Sequence, residues 1–307
     1  MSWLVVAKKD FRDALRSRWL LSLSVLFVVL VSGVALVLGW AANNAVGLLM
    51  AIGGFDLLFT DFVSQQDGTT AVAYNSSLVV WIMNGKVVTW LLPLIAVVMS
   101  HNAIIDERDS GSLKLLLSLP HSRSDVVFGK MLGRSAAVIG PQFAGFLVPG
   151  IILAATVPFQ AVEYFGFMLM TGVLTMVFVS ISVGLSASLA SRQRVLVAAI
   201  AFYMLFVSVW GTLKLPFGNW ASRQNPGTQN WPDALSWVPV APSGVVDVME
   251  VVNPTGAFKA LSGPFLEGNL FAPSSEPNMQ FAALSMLVFW LLFPMLVGIW
   301  RFEGTDL

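Results

Sequence analysis

The 307-residue chain is 56% apolar and 11% charged, with a formal net charge of zero. A water-soluble domain carries roughly 25% charged residues, so a surface facing only water is excluded, and the neutral balance gives no electrostatic case for nucleic acid. Cysteine is absent and histidine occurs 2 times, which removes disulfides, thiolate chemistry and any histidine-rich metal centre.

In residues 2–18, Trp3, Val6, Ala7, Phe11, Ala14 and Leu15 recur at helical spacing, with Lys8, Lys9, Arg12 and Arg16 elsewhere. The pattern predicts an amphipathic helix along a membrane surface, its apolar face among headgroups and its cations near anionic lipid. A basic flank that only sets topology fits the same residues. A cleaved signal peptide fits poorly: the polar lead contains Asp10 and Asp13, and the apolar run after it exceeds the usual ~7–15 residues.

Crossing about 30 Å of hydrocarbon takes about 20 residues. Six runs lack Asp, Glu, Lys and Arg for about that length: 19–55, 87–105, 135–162, 164–191, 195–213 and 277–300. They predict an all-α polytopic membrane protein, one transmembrane domain over 1–307, with six spans. These lie at about 19–40, 87–105, 135–157, 164–190, 195–213 and 279–300. Residues 45–59 are read as lying on or dipping into the interface.

With both termini inside, 13 Lys and Arg fall on cytoplasmic segments; only Lys86, Lys214, Arg223 and Lys259 fall outside. That is a positive-inside bias. It makes 41–85 and 214–276 outside loops and 106–134 a cytoplasmic segment. Loop 214–276 holds 8 of the 15 prolines and Trp220, Trp231 and Trp237. Such proline density forbids long helices, and the tryptophans suit an interfacial cap, with a substrate or partner contact as the alternative.

Segment 106–134 carries the densest signals. Asp109 or Ser110 can cap a short helix that Pro120 ends, with Leu113, Leu116 and Leu117 on one face. A second helix can begin at Ser124 or Asp125 and run through Lys130 into the third span. Exposed leucines beneath a membrane need a cover: lipid, the rest of the chain, or another protein. In the fourth span Ser180, Gly184 and Ser188 recur every four residues, with Ser182 and Ser186 beside them, a spacing that favours close helix packing over a polar pathway. Pro93, Pro141, Pro149 and Pro294 are candidate kinks. His101, near the inner end of the second span, is read as a hydrogen-bonding group.

The run Glu107-Arg108, Gly111-Ser112-Leu113, Leu116-Leu117-Ser118-Leu119-Pro120, Ser122-Arg123 and Gly129-Lys130 resembles the cytoplasmic signature of type 2 ABC transporter permeases. Asn253-Pro254 followed by Phe258 resembles a second stretch of that family. The likeness is closest to members with large outside loops, including those near nitrous-oxide-reductase maturation. It implies a separate ABC ATPase docking under 106–134, and a working unit of two permeases, identical or paralogous, with two ATPases in a prokaryotic cell membrane. Leu113, Leu116 and Leu117 would fill a groove on the ATPase. Glu107, Arg108 and Lys114 would set register at its rim, and Gly111 and Pro120 would shape the segment. ATP and Mg would bind the partner; no G-x-x-x-x-G-K-[ST] occurs in this sequence, and no cofactor or metal is expected on this chain.

The expected function is therefore a permease exporting a lipophilic or amphipathic substrate, a class of substrate that the apolar spans suit. A mechanical subunit that passes ATPase motion to an extracytoplasmic partner on 214–276 needs the same parts. A polytopic membrane enzyme would need ionisable groups at membrane depth, and the spans offer neither paired carboxylates nor H-E-x-x-H.

Overall fold

The computed structural model describes residues 2–18, 22–23, 25–33, 36, 88–113, 118, 122–156, 161–213, 244–266 and 277–304. Among these residues the elements are all helical. They are α1 (Ser2–Leu15), α2 (Leu92–Ser100), α3 (Ile105–Asp109), α4 (Arg123–Thr156) and α5 (Ala161–Ser188). After these come α6 (Arg192–Tyr203), which continues as a π-helical turn (Met204–Val209), then α7 (Gly244–Val252), α8 (Pro254–Leu266) and α9 (Pro277–Glu303).

Among the described residues, five stretches are long and apolar enough to cross a bilayer: Val88–Asp109, Arg123–Ile152, Ala161–Ser188, Arg192–Leu213 and Met279–Glu303. The expected first span is helical at 22–23 and 25–33; the rest of it, apart from residue 36, lies outside the described residues, as do 41–85 and Trp220, Trp231 and Trp237. Five spans are therefore seen where six are expected.

α4 begins 12 residues before the charge-free run at Ser135. Its 34 residues extend about 51 Å at 1.5 Å per residue, well beyond ~30 Å of hydrocarbon. The leading turns, with Lys130 and Arg134, can stand clear of the apolar layer.

α5 is the central helix, packed against α2, α4, α6, α8 and α9. Phe167, Leu174, Val177, Phe178, Ser180 and Val183 are all fully buried on it. α6 and α9 instead leave Val197, Ile200, Phe281, Leu296 and Trp300 exposed, the apolar surface that lipid accepts in place of water.

Four prolines lie in three spans, and at Pro93, Pro149 and Pro294 the opened turn is repaired the same way. Proline removes one backbone donor and opens the turn before it, leaving carbonyls that lipid cannot satisfy. Tyr203 Oη donates to Trp90 O, three residues before Pro93, at 3.1 Å. Tyr164 Oη donates to Phe146 O, three before Pro149, at 2.7 Å. Ser180 Oγ donates to Leu291 O, three before Pro294. At these three prolines a hydroxyl from a neighbouring span collects the loosened carbonyl.

Segment 214–276, expected as an outside loop forming an interfacial cap, enters the bundle over part of its length. α8 packs against α5 and α9, with Ala257 and Phe258 fully buried. The reason is local: Pro254 preorganises the first helical turn, and between there and Leu266 the one charge, Lys259, stays exposed. Asn253 directs the entry. Its Oδ1 accepts from Thr255 N and Thr255 Oγ1, each at 2.9 Å. Its Nδ2 donates to Phe206 O in the π-turn at 2.8 Å.

Candidate functional site

The residues that carry the sequence signature gather at one end of the bundle, where α1, α3 and the start of α4 meet. The second span breaks at residues 101–104 and resumes as α3. His101 Nδ1 lies 2.9 Å from Val98 O, within its own helix. Asn102 Nδ2 donates to Asp106 Oδ2 at 2.7 Å. α3 stops because Gly111 takes φ 74°, a left-handed conformation glycine adopts without steric cost. Ser112 Oγ then donates back to Glu107 O at 3.3 Å.

α4 opens with a capping box. Asp125 N donates to Ser122 Oγ at 3.1 Å, and Ser122 N donates to Asp125 Oδ2 at 3.2 Å. The helix so begins at Arg123, earlier than the expected Ser124 or Asp125. Arg123 itself reaches the far end of the chain. Its guanidinium donates to Phe302 O and, at 3.2 Å, to Glu303 O, and sits 5.3 Å over the Phe302 ring. A cation at the last carbonyls of α9 also complements that helix's dipole.

α1 lies across the start of α4. Gly129 and Gly133, one turn apart, form the seat: a Cβ added at Gly129 would fall 2.6 Å from Trp3 O, and one at Gly133 would fall 2.6 Å from Ala7 O. Part of the apolar stripe of α1, expected on lipid, therefore packs on protein, while Trp3 and Leu15 stay exposed. Val6 and Ala14 are buried, Phe11 is half-buried, and Trp3 stands edge-on to Phe128 at 5.5 Å. Arg12 and Arg16 stay exposed.

That packing brings five charges together. Lys130 Nζ lies 3.2 Å from Asp10 Oδ1 and 3.0 Å from Glu107 Oε1. Arg134 Nε lies 2.9 Å from Asp10 Oδ2 and Lys9 Nζ 3.2 Å from Glu107 Oε1. Arg134 also donates to Met99 O at 3.0 Å. Lys130 and Asp10 are almost wholly buried, at 2% and 5% side-chain exposure. Removing ions from water costs several kcal/mol each unless they are paired and hydrogen-bonded, so the buried charges here, Asp10 and Lys130, depend on their neighbours. The result is one clamp joining α1, α3 and α4.

A family model described as ABC-2 family transporter protein matches residues 4–307. The chain belongs to the ABC-2 transporter family. It is also similar to the "Probable ABC transporter permease protein NosY" of Stutzerimonas stutzeri, 28% identical over 271 residues covering 86% of this chain and 82% of that protein. A protein of the same description from Pseudomonas aeruginosa is 30% identical over 207 residues, 66% of each chain. As an ABC-2 permease-family member with five apolar helices, this chain is a multi-pass transmembrane subunit of an ABC transporter in a bacterial plasma membrane, a class that works with an ATPase partner.

Within this ABC-2 chain the expected docking residues separate. Glu107 faces into the clamp, where Lys130 and Lys9 hold it. Arg108 is half-buried. Leu113, expected to fill a groove on another subunit, is instead 1% exposed and part of the chain's own core: the Gly111 turn folds it back onto the bundle. Lys114, Leu116, Leu117 and Pro120 lie outside the described residues. In α5, a Cβ at Gly184 would overlap the Pro294 carbonyl, and Gly298 closes on the same point. Ser188 Oγ donates within its own helix, to Gly184 O at 2.7 Å. Sequence reasoning missed Asp10, Lys130 and Arg134 as one unit. The available signal was an acid on the apolar side of α1, at i+4 from Val6 and i−4 from Ala14.

Proposed function

We propose that this chain is the permease of an ATP-driven transporter whose separate ATPase docks at the clamped end through residues 106–122, that end facing the cytoplasm. The observation that carries the reading is the clamp itself. A subunit pressing on this segment would act at once on α1, the second span, the third span and, through Arg123, the last span. ATP and Mg would belong to the partner, and two copies of each subunit, with identical or paralogous permeases, would complete the unit. With Leu113 buried, Leu116 and Leu117 become the docking leucines. Burying one such side chain contributes roughly 1.5–3 kcal/mol.

No Asp, Glu, Lys or Arg falls within 88–105, 135–156, 164–188, 195–213 or 279–300. A lateral apolar route for a lipophilic or amphipathic substrate, exported, suits such spans better than a path for a small ion. The test is co-purification. Leu116→Asp and Leu117→Asp permeases should insert normally but lose the co-expressed ATPase at least tenfold. Full recovery with both variants would exclude docking through this segment.

A mechanical subunit is the second reading, favoured by one observation: α7, which leads into α8, is wired to the spans. Trp210 Nε1 donates to Met249 O at 2.9 Å and Trp290 Nε1 to Val252 O at 2.8 Å. Motion of the fifth and last spans would so reach 244–266 and any extracytoplasmic partner bound on 214–276.

A further inference from the structure

The break at residues 101–104 interrupts the helical ladder ahead of α3: Asp106 N still donates to Asn102 O at 3.3 Å, but the amides just before it need another acceptor. Ile104 N and Ile105 N are nonetheless both paired. Each donates to Ser186 Oγ on α5 at 3.1 Å, across 82 and 81 residues of sequence. Ile104 and Ile105 are 1% and 0% exposed, and Ser186 is 1% exposed. No water can replace that oxygen without opening the packing. Ser186 therefore acts as the helix cap of α3, supplied by a different span.

Its place on α5 gives the contact direction. Gly184 sits two residues earlier, about 200° around the helix, and meets the Pro294 carbonyl of α9. At one level of the membrane α5 so touches the last span with one face and caps α3 with the other. From the side of α6, Arg192 Nε approaches Asp106 Oδ1 at 3.5 Å. That pair is largely exposed, whereas the Ser186 contact is dry.

We propose that Ser186 is a positioning residue that sets the angle of α3, and with it the coupling segment, from the central helix α5. It makes α5 a second route, beside the Arg123 contact, through which a push on residues 106–122 is relayed to the last span. The relay, though not the cap itself, rests on the docking reading above.

The experiment compares the full-length wild type, Ser186→Ala and Ser186→Thr, each in lipid nanodiscs and each co-expressed with the ATPase. Hydrogen–deuterium exchange over residues 101–109 reads the cap, and ATPase recovery and hydrolysis rate read the relay. In Ser186→Ala, the amides of Ile104 and Ile105 should exchange at least about tenfold faster, the change that ~1.4 kcal/mol of local stability produces. Residues 129–140 should exchange as in the wild type, and Ser186→Thr, which keeps the hydroxyl, should restore protection. The Ser186→Ala complex should keep its ATPase yet hydrolyse ATP at the rate of the isolated ATPase. Unchanged exchange in Ser186→Ala, equal loss in Ser186→Thr, or acceleration along the whole chain would overturn the cap. A wild-type hydrolysis rate in Ser186→Ala would overturn the relay. Failure of the wild type itself to recover an ATPase would sink the docking reading, while the exchange result still decides the cap.

Discussion

The two ends of the bundle solve one problem with different chemistry. Each contains an interrupted helix whose loosened backbone groups must be satisfied in a place water does not reach. At the clamped end the interruption is the break at 101–104, capped by Ser186, and the surrounding helices are joined by charge: Asp10, Glu107, Lys130 and Arg134. At the other end the interruption is the π-turn Met204–Val209. Its Phe206 carbonyl is collected by Asn253, and the surroundings are joined by neutral donors: Tyr203, Trp210 and Trp290. Phe206 stacks on Trp210 at 5.0 Å and lies edge-on to Trp290 at 5.2 Å. π-turns recur at functional positions in helices. Charged joints are strong but interdependent, since losing one member strands the rest. Neutral donor-to-carbonyl joints are individually weaker and fail one at a time.

The sharpest way to break the comparison is Asp10→Ala. It leaves Arg134 without its carboxylate and Lys130 with Glu107 alone, and breaking a buried pair from one side costs about 3–5 kcal/mol. Thermal unfolding of the purified chain should drop accordingly, and α1 should become protease-sensitive. A loss below about 1 kcal/mol would show that the clamp is ornamental. Next in size is Asn253→Ala at the neutral end. It removes the donor to Phe206 O and the acceptor for Thr255, and an orphaned buried carbonyl costs about 1–3 kcal/mol. The loss should be the same at low and high salt. Any strong salt dependence would mean the two ends are not chemically distinct. The smallest effect belongs to Lys9→Ala, because the Lys9 side chain is 51% exposed. Such pairs contribute about 0.2–1 kcal/mol, and raising the salt should erase this contribution while leaving the Asp10 effect in place.

Five of the six expected spans were legible because charge and hydrocarbon exclude each other, and the charge-free runs end within a few residues of the helices at Ser188, Leu213 and Glu303. The start of α4 was not, since a charge-free rule cannot see a helix that continues past the membrane boundary on paired Lys130 and Arg134. The family signature was readable as a pattern, but not what its members do locally. Gly111 is a turn, Gly129 is a seat for α1, Arg123 caps the last helix, and Leu113 turns inward. Those roles depend on elements far away in sequence, which periodicity cannot report. The same holds for α8, whose burial is decided by Asn253 meeting an irregular turn in the fifth span. Leu116 and Leu117 lie outside the described residues, so their role still rests on the sequence pattern.

The seat for α1 also orders events during synthesis. Asp10 and Lys130 are separated by 120 residues, and at ~5–20 residues per second the ribosome needs roughly 6–24 s to bridge them. For that interval the nascent amphipathic helix has no groove to enter. Its cationic side, Lys8, Lys9, Arg12 and Arg16, is available to anionic headgroups meanwhile. A bilayer depleted of acidic lipid should therefore slow maturation of this protein more than it weakens the finished one.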